Sequence, residues 1–565
     1  MTLLGKALAG RPVYPGREVQ HSVDFARVAS LPRRPPVPPG ADVVAALTRR
    51  LARDPHRPTM TLRPIQAWAL SECEQSASMG RGLLCPMGVG SGKTLVSALA
   101  PVFYPRCRPV LFTYASLYEK TVRELGELAA HWRIPETTVR TWESLSRPDA
   151  ADLLARLNPT LVVADEVHAV KEPMTARTMR FLRFFETHPD VPLVALSGTI
   201  TSQSLGDFAH LAALCLGNLA PVPLDPQVVA DWGLALDTGV VWNARKEPGV
   251  LSAWMEPGEK GPREGFRRRL VESHGVVATS ADALGTSLDI TPVKAAPGPA
   301  LAECVRAVEG TGLDPDGNEL EDPAALARVV KAVSTGYWLR WAWPGGEVDA
   351  EWLAARNGWA RACRSFFTEG AAAGLDSPAL LAAACQAGTP PTWALGEAWA
   401  RWKPLSHRPA PPVVARYNRD AVHELAQYVK GWAKHGGGIV WVPSPSVGDA
   451  LARTTDFHHF CAGLDPSTSK KSTIIASVQA HGVGKNLQRW HRNLVLVPPS
   501  SGKTWEQLLG RTHRPGQTAD AVQVTVFTWN DTLKKAWARA RDEALYIQQV
   551  TGSPQKLVAA TITEV

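Results

Sequence analysis

The chain has 565 residues, 45% of them hydrophobic, with a formal net charge of +8. That length suits three or four folding units, the apolar fraction is enough for sizeable cores, and the sign of the charge suits a polyanionic partner as readily as a solvated basic surface. Eight cysteines without a C-x-x-C pair, no histidine cluster at zinc spacing, no leader-like N-terminus and no apolar run near the roughly 18 residues that span a bilayer predict reduced thiols, no metal framework and a soluble cytoplasmic protein with no membrane partner.

Residues 1–40 end in the proline-rich stretch Leu31–Gly40 and read as an extended N-terminal arm or linker. From 41 to 215, the short apolar runs Leu83–Cys85, Val110–Phe112, Leu161–Ala164 and Leu193–Leu196 alternate with helical patterns, as buried strands of a parallel sheet do. Residues 216–415 are rich in Ala, Gly, Pro and Trp and mostly helical in pattern. Nine of the 20 tryptophans lie between Trp338 and Trp432, and they read as the core of a small module rather than as base-stacking surfaces. The parallel-sheet texture returns over 416–545, in Ile439–Val442, Thr473–Ala476, Leu494–Val497 and Val522–Phe527, and 546–565 is a tail. The expected fold class is α/β: two parallel-sheet domains in tandem with a mostly helical insertion between them.

After the first strand comes Met87-Gly88-Val89-Gly90-Ser91-Gly92-Lys93-Thr94, and a helix is expected to begin near Lys93. Glycines there let backbone N–H groups approach phosphate oxygens, and the helix N-terminus adds a favourable dipole. Lys93 is placed for the β- and γ-phosphates of ATP and Thr94 for Mg²⁺. Asp165-Glu166-Val167-His168 follows the third strand, with Asp165 expected to hold the metal and Glu166 to polarise the attacking water. Far downstream, Gln507–Gln517 carries Arg511 and Arg514, three residues apart and so able to share one helical face. Each is permanently charged and suited to stabilising phosphate charge in a transition state. The stretch Ser501-Gly502-Lys503-Thr504 imitates a second phosphate loop but lacks an upstream glycine. Thr504 is expected to cap the helix that carries Gln507.

In this order the motifs resemble those of the superfamily-two helicases, in particular the Swi/Snf-type branch of DNA translocases, including compact bacterial and phage members. The resemblance spans both α/β domains and implies that each is RecA-like. Leu62-Arg63-Pro64-Ile65-Gln66 is similar to the segment that reads adenine, which implies cofactor-binding roles for Arg63 and Gln66 beside Gly88, Gly90, Ser91, Gly92, Lys93 and Thr94. Asp165–His168 followed by Lys171 resembles motif II. Ser197, Gly198 and Thr199 resemble the motif that couples the ATP and nucleic-acid sites. Gly482–Leu487 resembles motif V, and Gln507–Gln517 motif VI, with Gln507 on the nucleotide side. His481 and Lys485 depart from the usual glycine and aliphatic residue, and the fourth motif, near Ser444, is weak. The segment Arg328–Trp343, which contains Ser334–Trp338, resembles the linker between domains in phage-type relatives. The resemblance also implies a nucleic-acid track over Ser116, Lys120, Thr141, Ser444, Gln479, Lys485 and Asn486. The Arg267–Arg269 run reads as a helix surface.

These features predict an ATP-dependent DNA translocase or helicase, a nucleic-acid-stimulated ATPase on duplex or branched DNA, with 300–415 a possible surface for a protein partner. An RNA helicase and an ATP-switched nucleic-acid scaffold stand as alternatives. A viral packaging motor does not fit, because it would normally lack motif VI.

Overall fold

The computed structural model describes residues 18–88, 91–171, 175–198, 204–237, 240, 244–259, 261–278, 286–320, 322–343, 346–370, 374–460, 464–481, 486–514 and 516–563. It is an α/β protein with two parallel sheets, in two compact units. One unit takes residues up to 280, 349–408 and 546–553; the other takes 281–348, 409–545 and 554–565. Among the described residues, no helix is long and apolar enough to cross a membrane.

The first unit holds β1 (Leu83–Pro86), β2 (Pro109–Thr113), β3 (Thr138–Thr141), β4 (Leu161–Asp165) and β5 (Leu193–Ser197). They lie in the order β1-β5-β4-β2-β3, and every neighbouring pair is parallel. Alternate side chains of a strand face opposite sides, and here each side has its own core. Leu84, Val110, Phe112, Val162, Ala164 and Ala195 enter one apolar cluster. Leu83, Cys85, Leu111, Val163, Val194 and Leu196 enter the other. Burial on both faces is why these runs read as continuous apolar stretches. Edge strand β3 has only Val139 fully buried and carries no such signal.

The N-terminal stretch is not a free spacer from Glu18 onward. Helix Val23–Ser30 places Phe25 in a stack on Trp254, 5.0 Å between ring centroids. In the proline-rich segment, Arg34 pairs with Glu72 at 2.7 Å and lies over the Trp68 ring. Arg269 is fully buried, and its guanidinium donates to the carbonyls of Val28 (2.9 Å) and Leu31 (2.6 Å). The Arg267–Arg269 run is therefore partly an anchor for the arm rather than only a helix surface. Carbonyl oxygens left over beyond the last turn of a helix need donors, and a buried arginine supplies several.

Three helices of the tryptophan-rich segment, Ala350–Gly370, Pro378–Gln386 and Trp393–Trp402, also belong to this unit. Trp359, Phe366, Phe367, Leu381 and Leu395 bury against Met179 and Leu182 of helix Ala176–Thr187. The contact is sealed by Asp376, fully buried, at 2.8 Å from Arg180 and 2.9 Å from Arg183. Trp352 and Trp359 are core, whereas Trp393 is 77% exposed.

The second unit holds β6 (Ser287–Val293), β7 (Tyr337–Trp341), β8 (Val413–Tyr417), β9 (Ile439–Val442), β10 (His458–Phe460), β11 (Ile474–Ser477), β12 (Arg492–Val495), β13 (Ala521–Phe527) and β14 (Thr561–Ile562). Its main sheet has the order β10-β11-β9-β12-β13-β6-β14, again parallel throughout, while β7 and β8 form a separate antiparallel ribbon. The segment read as one insertion over 216–415 is thus shared: β6 and the ribbon lie in the second unit, and 349–408 in the first. The tail is shared too, with Tyr546 and Val550 in the first unit's core and Leu557 in the second's.

Candidate active site

In an open parallel sheet, ligands bind outside the carboxyl ends of the strands. The chain segments leaving β1, β5, β4, β2 and β3 carry, in that lateral order, the glycine-rich loop, Ser197-Gly198, Asp165-Glu166, Tyr114–Ser116 and Thr141–Glu143. Residues scattered between Met87 and Gly198 are thereby brought to one edge by topology alone.

Helix Lys93–Leu99 follows the loop, as expected. Gly92, at φ +83°, adopts a conformation that L side chains avoid. A Cβ there would meet Gln66 Nε2 at 2.1 Å. Gln66 is buried, and its Oε1 accepts from the Arg63 backbone N–H at 2.9 Å, which fixes the amide over the loop. Gly88, Ser91 and Thr94 are half-buried at the loop and the first turn. Gly90 lies outside the described residues.

The Lys93 ammonium sits 3.2 Å from Glu166 Oε1 and donates to the Met87 carbonyl at 3.3 Å. Glu166 is buried and has φ +54°, a left-handed conformation unusual for a side chain of this size. Its other oxygen lies 3.2 Å from His168 Nδ1 and 3.4 Å from Ser197 Oγ, and those two groups are 2.9 Å from each other. His168 Nε2 is 3.0 Å from the Tyr114 hydroxyl. A continuous polar chain therefore joins Lys93, Glu166, Ser197 and His168 to the turn after β2. Gly198 is buried beside Ser197, and Thr199 lies outside the described residues.

Asp165 ends β4. Burial pushes its carboxyl well above the usual carboxylate range, and the neighbouring Glu166 charge adds to the shift. Its Oδ1 is buried with no hydrogen-bond partner. An orphaned carboxylate oxygen beside a phosphate-type loop fits a hard cation, which takes oxygen ligands. Among the described residues no group of three or more His, Cys, Asp or Glu could hold a metal. The donor set is instead one carboxylate and the Thr94 hydroxyl, of the kind that binds Mg²⁺ together with substrate phosphates.

Two site residues were not singled out from sequence. Trp142 is fully buried and its indole N–H donates to the Asp165 carbonyl at 2.8 Å. Tyr114 was detectable only by its place directly after a buried strand. The Ala115 N–H donates to Glu143 at 2.9 Å, so the turns after β2 and β3 are bound together.

In the second unit, helix Gly502–Thr512 carries Gln507 and Arg511, both buried. Arg511 Nε donates to the Gln507 carbonyl at 2.9 Å. The two arginines do not share a helical face: the helix ends at Thr512 and Arg514 lies beyond the cap. The residue before a proline disfavours helical backbone, and Pro515 follows Arg514. The N-cap is Ser501, not Thr504, and Gly502 is required because a Cβ would meet the Ala540 carbonyl at 2.7 Å. The Leu487 N–H donates to the Arg511 carbonyl at 3.0 Å, and Arg514 donates to the Asn486 side chain. Asn486-Leu487 and Arg511–Arg514, from the two segments that resemble motifs V and VI, are thus brought together.

Of the track candidates, Ser116 is exposed on the turn after β2, and Lys120 pairs with Glu124 at 3.5 Å. Thr141 Oγ1 accepts from the Ser144 N–H at 3.2 Å, so it serves a cap. Ser444 begins helix Pro445–Thr455 with no side-chain capping bond, Gln479 and Asn486 are exposed, and Lys485 lies outside the described residues. No protein-family model matches the chain, and no curated protein matches it.

Proposed function

We propose that the chain is an ATP-driven translocase that moves along or remodels DNA, built as two RecA-like domains of the Swi/Snf-type branch of superfamily-two helicases. The observation that carries this reading is the Lys93–Glu166–Ser197–His168 constellation at the carboxyl edge of a parallel sheet, with Gln66 packed over Gly92. A structural ion pair alone would not need a left-handed glutamate, an orphaned aspartate and a glycine cradle in one place.

In this mechanism the triphosphate offers Lys93 a stronger anion than Glu166. The freed carboxylate then orients water in line with the γ-phosphate, where general-base assistance is worth about 10²–10⁴-fold. Thr94 and Asp165 would hold Mg²⁺, which would supply positive charge beside the phosphate oxygens. Arg511 and Arg514 are permanently charged groups of the kind that stabilises negative charge on such oxygens. Ser197 and His168 touch the carboxylate that acts on water, and Tyr114 touches His168, so a change at Glu166 is passed to the turn bearing Ser116. The Arg514-Pro515-Gly516-Gln517 ending supports DNA as the track.

The test is ATP hydrolysis by the wild type and Glu166→Gln with no nucleic acid, single-stranded, duplex or branched DNA, or RNA. Stimulation by DNA that the variant abolishes is the expected result. Equal slow hydrolysis in every arm would overturn the motor reading.

A further inference from the structure

Arg34 belongs to the proline-rich arm and to none of the motifs, yet two contacts tie it to the helix that carries Gln66. Its Nε lies 2.7 Å from Glu72 Oε1, and its guanidinium sits over the Trp68 ring, 4.8 Å from the centroid. Both partners are buried on helix Pro64–Ser78, and Gln66 is in the first turn of that helix. A guanidinium is attracted both to a carboxylate and to an indole face.

The same arginine is bound to a second segment. The Arg34 N–H donates to the Glu272 carbonyl at 2.8 Å, and its guanidinium donates to the Val276 carbonyl. That segment runs beside β1: the Leu84 N–H donates to the Gly275 carbonyl at 2.9 Å, and the Val277 N–H donates to the Leu84 carbonyl at 3.0 Å. β1 leads directly into the phosphate loop, where the Met87 carbonyl accepts from Lys93. Glu72 completes the link, because its Oε2 accepts from the Gly275 N–H at 2.9 Å, with His274 Nδ1 3.7 Å away. Trp68 packs in one core with Met87, Leu95 and Val96, on either side of the loop.

This node does more than hold the arm. The arm is already anchored by Arg269, through the carbonyls of Val28 and Leu31, so it stays attached without Arg34. What Arg34 alone supplies is the countercharge that lets Glu72 remain buried between the helix and β1. The fit it protects is close: a Cβ on Gly92 would lie 2.1 Å from Gln66 Nε2, so a small shift of the helix changes how Gln66 meets the loop.

We propose that Arg34 is a positioning residue for the base of the nucleotide. It fixes helix Pro64–Ser78 against β1, so that Gln66 meets adenine while the loop holds the phosphates. The proposal rests on the ATP-driven reading and on Gln66 facing the base, and it adds a determinant of nucleotide selectivity from the arm.

The experiment measures KM and kcat for ATP and GTP, and inhibition by tripolyphosphate, which has the phosphates without the base. It uses the full chain as wild type, Arg34→Met, Arg34→Lys and the double variant Arg34→Met with Glu72→Gln. Methionine keeps an apolar stem on Trp68 but removes the charge. In Arg34→Met, KM for ATP should rise about tenfold, as remote coupling changes typically allow, with kcat unchanged. The preference for ATP over GTP should fall, and inhibition by tripolyphosphate should stay the same. Arg34→Lys should recover most of the affinity. The double variant removes both buried charges, so it folds even where Arg34→Met is strained, and it should show the same rise in KM. An unchanged KM for ATP in both methionine variants overturns the proposal. Equal weakening of ATP and tripolyphosphate also overturns it, in favour of a general loosening of the first unit. Wild-type hydrolysis of ATP with no preference over GTP removes the base contact on which it rests, and no hydrolysis at all overturns the parent reading.

Discussion

Glu166 is held by Lys93 at 3.2 Å through one carboxylate oxygen and by His168 at 3.2 Å through the other. The side chain expected to activate water is therefore shared between the phosphate loop and the group that leads to the turn after β2. Replacing Glu166 with Gln keeps its shape but removes the charge that both partners use. Hydrolysis should fall by at least about 10²-fold, while a fluorescent ATP analogue still binds. Retained hydrolysis would remove Glu166 from the chemistry.

Gly92→Ala should abolish that binding. The backbone at φ +83° resists a side chain, and the new Cβ would displace Gln66. The same analogue titration checks it, and unchanged affinity would mean that Gln66 and the loop do not act together.

Tyr114→Phe removes one hydroxyl, 3.0 Å from His168. The ratio of DNA-stimulated to unstimulated hydrolysis should fall, with the stimulated rate losing more. A proportional loss in both would argue against this route between the sites.

Asp376→Ala leaves Arg180 buried without its anion and removes the partner of Arg183 as well. Breaking a buried pair costs about 3–5 kcal/mol, so the urea midpoint of the first unit should drop clearly. Asp376→Asn should fall between the two. A change no larger than that of an exposed ion pair would show the contact to be incidental.

Asp237 accepts from Ser204 at 2.6 Å, the Leu205 N–H at 2.8 Å and the Tyr546 hydroxyl at 3.0 Å, yet burial raises its carboxyl from 3.8 to about 6. The folded state holds this proton more tightly than the unfolded chain. Its contribution is therefore full below the unfolded value and is lost as pH rises through the folded one, by about 3 kcal/mol in all. Asp237→Asn should flatten the stability profile between about pH 4 and pH 6, followed by chemical denaturation at stepped pH. An unaltered slope would assign the pH dependence elsewhere.

The strands of both sheets that are buried on two faces were legible because the sequence shows them as unbroken apolar runs. Edge strands β3, β10 and β14 were not, since an exposed face dilutes the pattern. Nor was β6, where Asp289, Thr291 and Pro292 interrupt the hydrophobic positions. At the site, Lys93, Asp165 and Glu166 were readable from chemistry and local order. The roles of Trp142 and Tyr114 depend on which strands lie side by side, which one-dimensional spacing does not encode. Arg514 was misplaced because a three-residue interval was read as helix although a proline follows it. The docking of 349–408 on helix Ala176–Thr187 joins an apolar cluster to the buried Asp376, a single acid that looks like any surface residue in sequence.

The first unit draws its last core side chains, Tyr546 and Val550, from a segment made after nearly all of the second unit's sheet. A ribosome must therefore deliver residue 550 before the early sheet can close its core, hundreds of residues after its first strand emerged. Contacts so distant in sequence slow folding and expose partly built surfaces. Neither unit can be recovered by cutting the chain at one point, and a truncated product ending before the helix Asp531–Thr551 should be aggregation-prone, not a working half.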